Sequence, residues 1–591
     1  MNQKIKLIPL LLFSAFATQA AKDVKVMQYL HAGPITVNKP ILTDSLNVDG
    51  KPFEAKNLVK STIPFGRALG NAAVIDADTA GLITVPTPEK GYALHLYSFY
   101  LNSDRYTKGS LEVSGAGTFE VFVNNKPVGA TSELALEPHR YEVVIKYLTA
   151  DTDTCPSTLT AKFKSEEEAK VIASLDPKKR YTPRDILEGT QFRGTSVSPD
   201  GKYVLVKYYT RMEGGKSEQY AQLRDAATGR ILLQDKGFIL TADWMPTSSK
   251  MYFTRTGMNG KELVTVDPAT MQEEILAENL PEGSFSFTPD EKTLLYTIQE
   301  EGPKDGPDML RILEPNDRLP GFRNRYFIWR YDLQTGLYEQ LTYGHNNTFI
   351  NDVSADSRYL LFSTSEQDYT SLPHSSNSMY KLDLQSMAVD TLWERAKYIN
   401  GATFSPDGKQ LMVFGSGNAF DNIGLNIKEG QISNTYDGQL FLYDPATRKA
   451  KALTKDFNPN VTSAQWNKFD GQIYMLTEDQ DYQRVYTCNP ANGKIRRLDL
   501  PEDVIYNYSL AEAAPVMYYY GQSVSNANRL YSYNTKSKKT QLIYDLSADK
   551  LKDIQFGEVH DWNFTSTDGT IIQGRYYLPP NFDASRKYPM I

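Results

Sequence analysis

From residue 22 onward, apolar and polar positions alternate over short runs: Leu111 and Val113, then Phe119, Val121 and Val123, then Tyr141, Val143 and Ile145. A period of two buries one face of a strand and wets the other, so each run predicts a half-buried strand. Gly115-Ala116-Gly117 and Asn124-Asn125-Lys126-Pro127 break the runs with turn chemistry. Short strands at this spacing predict a two-sheet β-sandwich over residues 22–150. It is read either as a carbohydrate-binding jelly roll, with a rim Trp or Tyr stacking on a sugar ring, or as an accessory packing domain, the preferred reading. Over 151–189 the alternation gives way to charge, with Glu166-Glu167-Glu168 and Asp176-Pro177-Lys178-Lys179. That stretch predicts a partly helical linker whose charges form a solvated face.

Residues 190–553 repeat a different pattern. Ser198-Pro199-Asp200-Gly201-Lys202 precedes the apolar run Tyr203–Val206, and Ser405-Pro406-Asp407-Gly408-Lys409 precedes Leu411–Phe414. Diverged copies begin at Thr288 and Ser354, and fainter ones at Met245, Asn467 and Ala511. Pro presets φ, Asp bonds to nearby backbone and Gly accepts positive φ, so the motif is a tight turn between antiparallel strands. Downstream of each turn an apolar strand ends in Asp or Asn, as in Leu263–Asp267, Leu440–Asp444 and Leu530–Asn534. The seven markers are separated by 47, 43, 66, 51, 62 and 44 residues. A four-stranded propeller blade takes about 40–50 residues, so each marker fits one blade and the longer steps carry insertions. The prediction is an all-β protein, a sandwich followed by a seven-bladed propeller. Eight blades is the alternative, with one hidden in a long step or before Ser198.

Composition narrows the function. Lys4 and Lys6 precede the apolar stretch Leu7–Ala17, and small residues Ala20 and Ala21 follow. This predicts a secretory signal peptide over 1–21 and a secreted or periplasmic protein. Its removal leaves 62 basic against 71 acidic residues, a net charge of −9. That balance argues against nucleic acid or an anionic membrane as partner. No later run of 18 apolar residues predicts a membrane span. Cys155 and Cys488, far apart, are read as lone buried thiols. The six His residues, His31, His95, His139, His345, His374 and His560, lack the close spacing of metal ligands, so neither a metal nor another cofactor is expected.

The residues after the repeats read Trp562-Asn563-Phe564-Thr565-Ser566-Thr567-Asp568-Gly569, then Tyr577-Leu578-Pro579-Pro580, then Lys587-Tyr588-Pro589. With the Ser-Pro-Asp-Gly-Lys turns, they resemble the prolyl oligopeptidase family of serine peptidases, which includes dipeptidyl peptidase IV relatives. The resemblance implies that 554–591 opens an α/β-hydrolase domain, that the propeller gates peptide access to a Ser-Asp-His site, and that the nucleophile, Asp and His lie beyond Ile591. No Gly-x-Ser-x-Gly elbow occurs in the chain; Gly194-Thr195-Ser196-Val197-Ser198 and Gly521-Gln522-Ser523-Val524-Ser525 lack the second Gly. No catalytic residue is therefore assigned, and the chain is expected to be truncated. Gly214-Gly215-Lys216-Ser217 lacks the earlier Gly of a phosphate loop and is read as a hairpin.

Insertions near 299–326 and 416–436 offer surfaces for function. Arg323 and Arg325 are the candidate substrate contacts. Dipeptidyl peptidase relatives hold the free substrate amine with paired Glu residues; Glu273-Glu274 is a candidate pair, and its strand setting favours exposed charge. The expected partner is a peptide substrate reached through the hydrolase domain. The alternative is a stand-alone exported propeller that binds peptides or glycans.

Overall fold

The computed structural model describes residues 23–103, 105–153, 157–165, 171–178, 181–306, 309–580 and 582–591. The expected signal peptide, the Glu166–Glu168 run and Cys155 lie outside them. The chain divides into two compact units.

The first unit holds two antiparallel sheets, of five and seven strands, sharing one core. Tyr97, Phe99, Leu111, Val143, Ile145 and Phe163 are fully buried there. The sequence places these apolar residues on alternate positions, so each strand turns one face inward. Strand Ser157–Ser165 pairs with Asp23–Lys25, Leu82–Val85 and Thr107–Gly115. Strand Val171–Ser174 pairs with Tyr92–Ser103. Two strands of the sandwich thus come from the stretch expected to be a linker. Leu159, Ala161 and Phe163 supply the alternation, which the neighbouring charge had masked. Phe163 fills the space above Gly109: a Cβ there would sit 2.6 Å from its ring and 2.4 Å from the carbonyl of Lys164.

The second unit holds the repeats. Five four-stranded antiparallel sheets are followed by an eight-stranded path. That path is two further four-stranded units joined by one parallel pairing, Gln483 with Val504. The described residues therefore contain seven four-stranded units, beginning at Gly189, Asp243, Ser284, Thr348, Ile399, Asn460 and Val504. Each predicted marker sits between the first and second strand of one unit. In every unit the marker N–H bonds the carbonyl five residues on, at 2.8–2.9 Å. The long steps are insertions between second and third strands, over 301–324 and 417–437, and no strand lies in either among the described residues.

Apolar residues on both faces of these sheets need cover on both sides, and each unit finds it on its neighbours. Leu205 and Leu223 of the first unit share a core with Val264 and Val266 of the second. The last unit packs on the first: Phe192, Val204 and Tyr208 share a core with Tyr518 and Leu530. The Tyr518 hydroxyl donates to the carbonyl of Ala226 (2.9 Å), and the N–H groups of Glu512 and Ala513 meet the carbonyl of Pro199. This is the arrangement of a β-propeller, with every unit built from consecutive strands.

After the seventh unit, strands Val559–Thr565 and Ile571–Tyr577 form a hairpin about Asp568-Gly569, with Gly569 at φ 85°. Arg575 ties it to the propeller through Asp503 (3.2 Å) and Asp481, its guanidinium over the Tyr482 ring. No hydrolase domain is evident among the described residues.

Candidate functional site

The turns that mark the repeats are structural. The Ser405 hydroxyl donates to the Asp407 carboxylate (2.7 Å) and accepts from the N–H of Gln410 (3.0 Å). Ser198, Thr288 and Ser354 repeat the arrangement with Asp200, Asp290 and Asp356. The hydroxyl bond holds Asp407 and Asp356 below the usual carboxylate range.

In a propeller, the first strand of each blade lines the central channel. Here the first strands of five units are bulged, at Phe192/Gly194, Ile350/Asp352, Ile399/Gly401, Val461/Ser463 and Ile505/Asn507. A bulge leaves one residue without a cross-strand partner and re-aims its side chain. Those residues are Arg193, Asn351, Asn400, Thr462 and Tyr506, four of them exposed and Asn351 partly so. Beside three of them lies a cavity of about 310 Å³, lined by Asn351, Asn400, Thr403, Thr462 and Ser463. Its size is at the lower end for small-ligand pockets. Apolar Ile350, Ala402, Met412, Phe414 and Ala464 line it as well, beside amides and hydroxyls that both donate and accept.

The next position fixes neighbouring strands to each other. The Asp352 carboxylate accepts from the N–H of Phe404 (2.7 Å) and from that of Val353 (2.8 Å). Burial raises its pKa. The Asn351 side-chain oxygen Oδ1 faces Gly401, where a Cβ would approach to 3.1 Å.

The sequence-derived candidates lie elsewhere. Arg323 binds the nearly buried Asp317 through Nε and Nη2 (both 2.8 Å) and pairs with Asp305 (3.0 Å), stapling the 301–324 insertion. These partners raise its pKa further. Arg325 donates to the carbonyls of Phe322 and Asn324 (both 2.9 Å) and of His345. Glu273 and Glu274 are exposed on the last strand of the second unit, paired with Arg255 (2.7 Å) and Lys250 (3.0 Å). Ser523 donates to Glu502 (2.6 Å), and Gly214 and Gly215 turn the chain between two strands. Cys488 is buried, which pushes its thiol up to about 11.

Two of the six histidines come together. His31 Nε2 lies 3.0 Å from His95 Nδ1 inside the sandwich unit, and burial pushes His95 down to about 4. No group of three or more His, Cys, Asp or Glu residues could hold a metal among the described residues.

The bulged ring escaped the sequence reading, although a local signal exists. Arg193, Asn400, Thr462 and Tyr506 each stand five residues before a marker, Ser198, Ser405, Asn467 and Ala511. Each follows a buried apolar residue.

Residues 241–532 match the family model described as SMP-30/Gluconolactonase/LRE-like region. Dipeptidyl-peptidase 5 of Porphyromonas gingivalis is 27% identical over 191 residues, 32% of this chain and 25% of that protein. A solved acylaminoacyl peptidase in complex with Z-Gly-Gly-Phe-chloromethyl ketone superposes with a TM-score of 0.51 at 14% identity, covering 69% of this chain and 61% of that one. The acylaminoacyl peptidase of Pyrococcus horikoshii gives 0.49 at 14% identity, covering 70% and 60%. The chain thus spans a quarter of the curated relative and about three fifths of the solved ones. The comparisons establish a propeller with distant similarity to the propeller region of prolyl oligopeptidase-family peptidases.

Proposed function

We propose that this chain is the propeller-bearing part of an exported serine peptidase of prolyl oligopeptidase type, acting on short peptides. In this reading the propeller controls which peptides reach a hydrolase domain and breaks no bond itself. The observation that carries the reading is the 27% identity to a dipeptidyl-peptidase over 191 residues. The channel chemistry supports it. An extended peptide offers one N–H and one C=O per residue; the Asn400 amide can meet either group, while Asn351, which donates to Ser363 Oγ (2.8 Å), and Thr462, which donates to the carbonyl of Leu476 (3.0 Å), offer acceptor oxygens to a peptide N–H. We assign peptide contact to these residues ahead of Arg323 and Arg325, whose guanidinium groups are held by partners within their own insertion and its neighbouring loops. The motif Asp568-Gly569 to Tyr588-Pro589 supports a hydrolase domain to follow, and Lys4, Lys6 and the apolar stretch after them support export.

The test is an active-site fluorophosphonate probe, with fluorogenic dipeptide amides, applied to the gene product read to its natural stop. Covalent labelling and amide hydrolysis are expected. In the Asn400→Ala, Thr462→Ala double variant, labelling should persist while KM for the longest accepted peptides rises about threefold to tenfold, the loss of one or two hydrogen bonds. Absence of labelling would overturn the peptidase reading, and peptide or glycan binding without hydrolysis would then favour a stand-alone binding module.

A further inference from the structure

The seven units repeat one geometry, so positions that are equivalent in the fold can be compared for chemistry. In each unit one row crosses the second, third and fourth strands on the face turned toward the next unit. The third-strand member stands two residues before the turn Asp or Asn. In the second unit the row is Tyr252, Thr265, Glu274; in the third, Leu295, Arg330, Glu339; in the fourth, Leu361, Lys381, Asp390. In these three units its outer end is acidic and each acid has a base, whereas the rows of the first, fifth and seventh units end in Leu233, Lys451 and Gln541. Glu274 pairs with Lys250 (3.0 Å) and Glu339 with Arg330. Asp390 reaches across to the fifth unit and pairs with Arg448 (3.0 Å). Arg448 sits at φ 57°, four residues after the turn residue Asp444.

The sixth unit, like the fifth, carries a base at that end. Its row is Tyr474, Thr487, Arg496, and the neighbouring pair is Asn489 with Lys494. In the seventh unit the position equivalent to Arg448 is Lys538, four residues after Asn534 and at φ 58°. Where the fourth and fifth units meet acid to base, the sixth and seventh meet base to base. The fifth unit carries Lys449 and Lys451 at the positions of Lys494 and Arg496, and the sixth adds Arg497 to them. None of Lys494, Arg496, Arg497 and Lys538 forms an ion pair within 4 Å among the described residues.

These four cations line one cavity of about 660 Å³ between the two units. Two carboxylates also line it, leaving an excess of two positive charges. Of these, Asp470 already accepts from the Tyr474 hydroxyl (2.8 Å) and the N–H of Gln472 (3.1 Å). The protein as a whole has 71 acidic against 64 basic residues, so the excess runs against its overall charge. Like charges facing each other across a gap repel unless a counter-ion sits between them, and guanidinium groups hold oxyanions with directed hydrogen bonds.

We propose that the cavity between the sixth and seventh units binds a small ligand carrying two or more oxyanion groups, bridged by Arg496 and Lys494 on one side and Lys538 on the other. This site is separate from the channel and independent of the peptidase reading.

The test uses the intact protein with three probes, citrate, pyrophosphate and a sulfated disaccharide, and with maltose as the neutral control. Calorimetry at about 0.15 M salt, where exposed charges further apart than about 8 Å are screened, should show saturable binding of at least one polyanion and none of maltose. The strongest of the three identifies the oxyanion as carboxylate, phosphate or sulfate. Arg496→Gln and Lys538→Glu should each weaken that binding about tenfold, the worth of one charge-assisted contact. Without ligand, Lys538→Glu should raise the melting temperature, because it recreates the acid-to-base contact of the fourth and fifth units. That second readout is independent of ligand choice. Failure of all three probes to bind saturably, binding that survives both substitutions, or a lower melting temperature in Lys538→Glu would each overturn the proposal.

Discussion

The sandwich and the propeller are both built from antiparallel strands, yet they bury their apolar residues in opposite ways. In the sandwich, one core is assembled from strands distant in sequence: Asp23–Lys25 pairs with Lys162–Lys164, and Leu82–Val85 with Ser157–Thr160. In the propeller, each sheet is local, and its core is shared only with adjacent units. A core made of distant segments depends on every one of them, whereas a ring of local units spreads a defect over two neighbours.

The largest effect should therefore come from the strand that looked like a linker. Phe163 is fully buried in the sandwich core, and Phe163→Ala is expected to cost about 3–5 kcal/mol, the range for emptying a buried aromatic site. Two compact units predict two unfolding transitions, so scanning calorimetry should show one transition falling and the other in place. Deleting 157–174 should remove the first transition altogether. A deletion that leaves both transitions intact would restore the linker reading and end the contrast.

What was legible in the sequence follows the same division. The propeller announced itself because its turns are local: the six residues from Ser198 to Tyr203 contain the whole turn, and seven copies repeat it. The position four after each turn Asp or Asn has positive φ in every unit, and it is plain as Gly at Gly229, Gly336 and Gly493. It is hidden at Met271, Met387, Arg448 and Lys538, where residues without that freedom take the same φ. Strand 157–165 was illegible because its partners lie far away and a charge run follows it. The channel ring was missed for another reason. A bulge is a property of the register between two strands, and alternation within one strand does not display it. Arg323 drew attention as a cation in an insertion, and only the fold brings Asp317 and Asp305 around it.

A middling effect is expected at a propeller turn. Ser405→Ala removes both the bond to Asp407 and the one from the N–H of Gln410. Loss of such a bond costs about 0.5–1.5 kcal/mol, and the change is confined to the fifth unit. Hydrogen exchange should accelerate at Gln410 and its neighbours while amides of the second unit keep their protection. Acceleration around the whole ring would show that the units are not the local elements their sheets indicate.

The smallest effect, and the one that separates local folding from contact between units, belongs to Asp352. Its carboxylate spans the fourth and fifth units by accepting from the N–H of Phe404, with Lys468 and Glu512 as the charged groups that act on it. Burial raises its pKa above the ordinary 3.8, so the folded protein holds this proton more tightly than the unfolded chain does. Its stabilising contribution is then complete below pH 3.8 and is lost as the pH rises through the folded value. Lys468 opposes the shift and Glu512 reinforces it. Asp352→Asn cannot titrate, and it keeps one acceptor oxygen in place of two, so it carries a constant penalty at every pH. Urea unfolding of both proteins should show the wild type ahead by more near pH 3.5 than near pH 7, with the gap narrowing between. A gap that widens as the pH rises would mean that the ionised carboxylate is the stabilising form, and that hydrogen bonds from the fifth unit outweigh the cost of burying its charge.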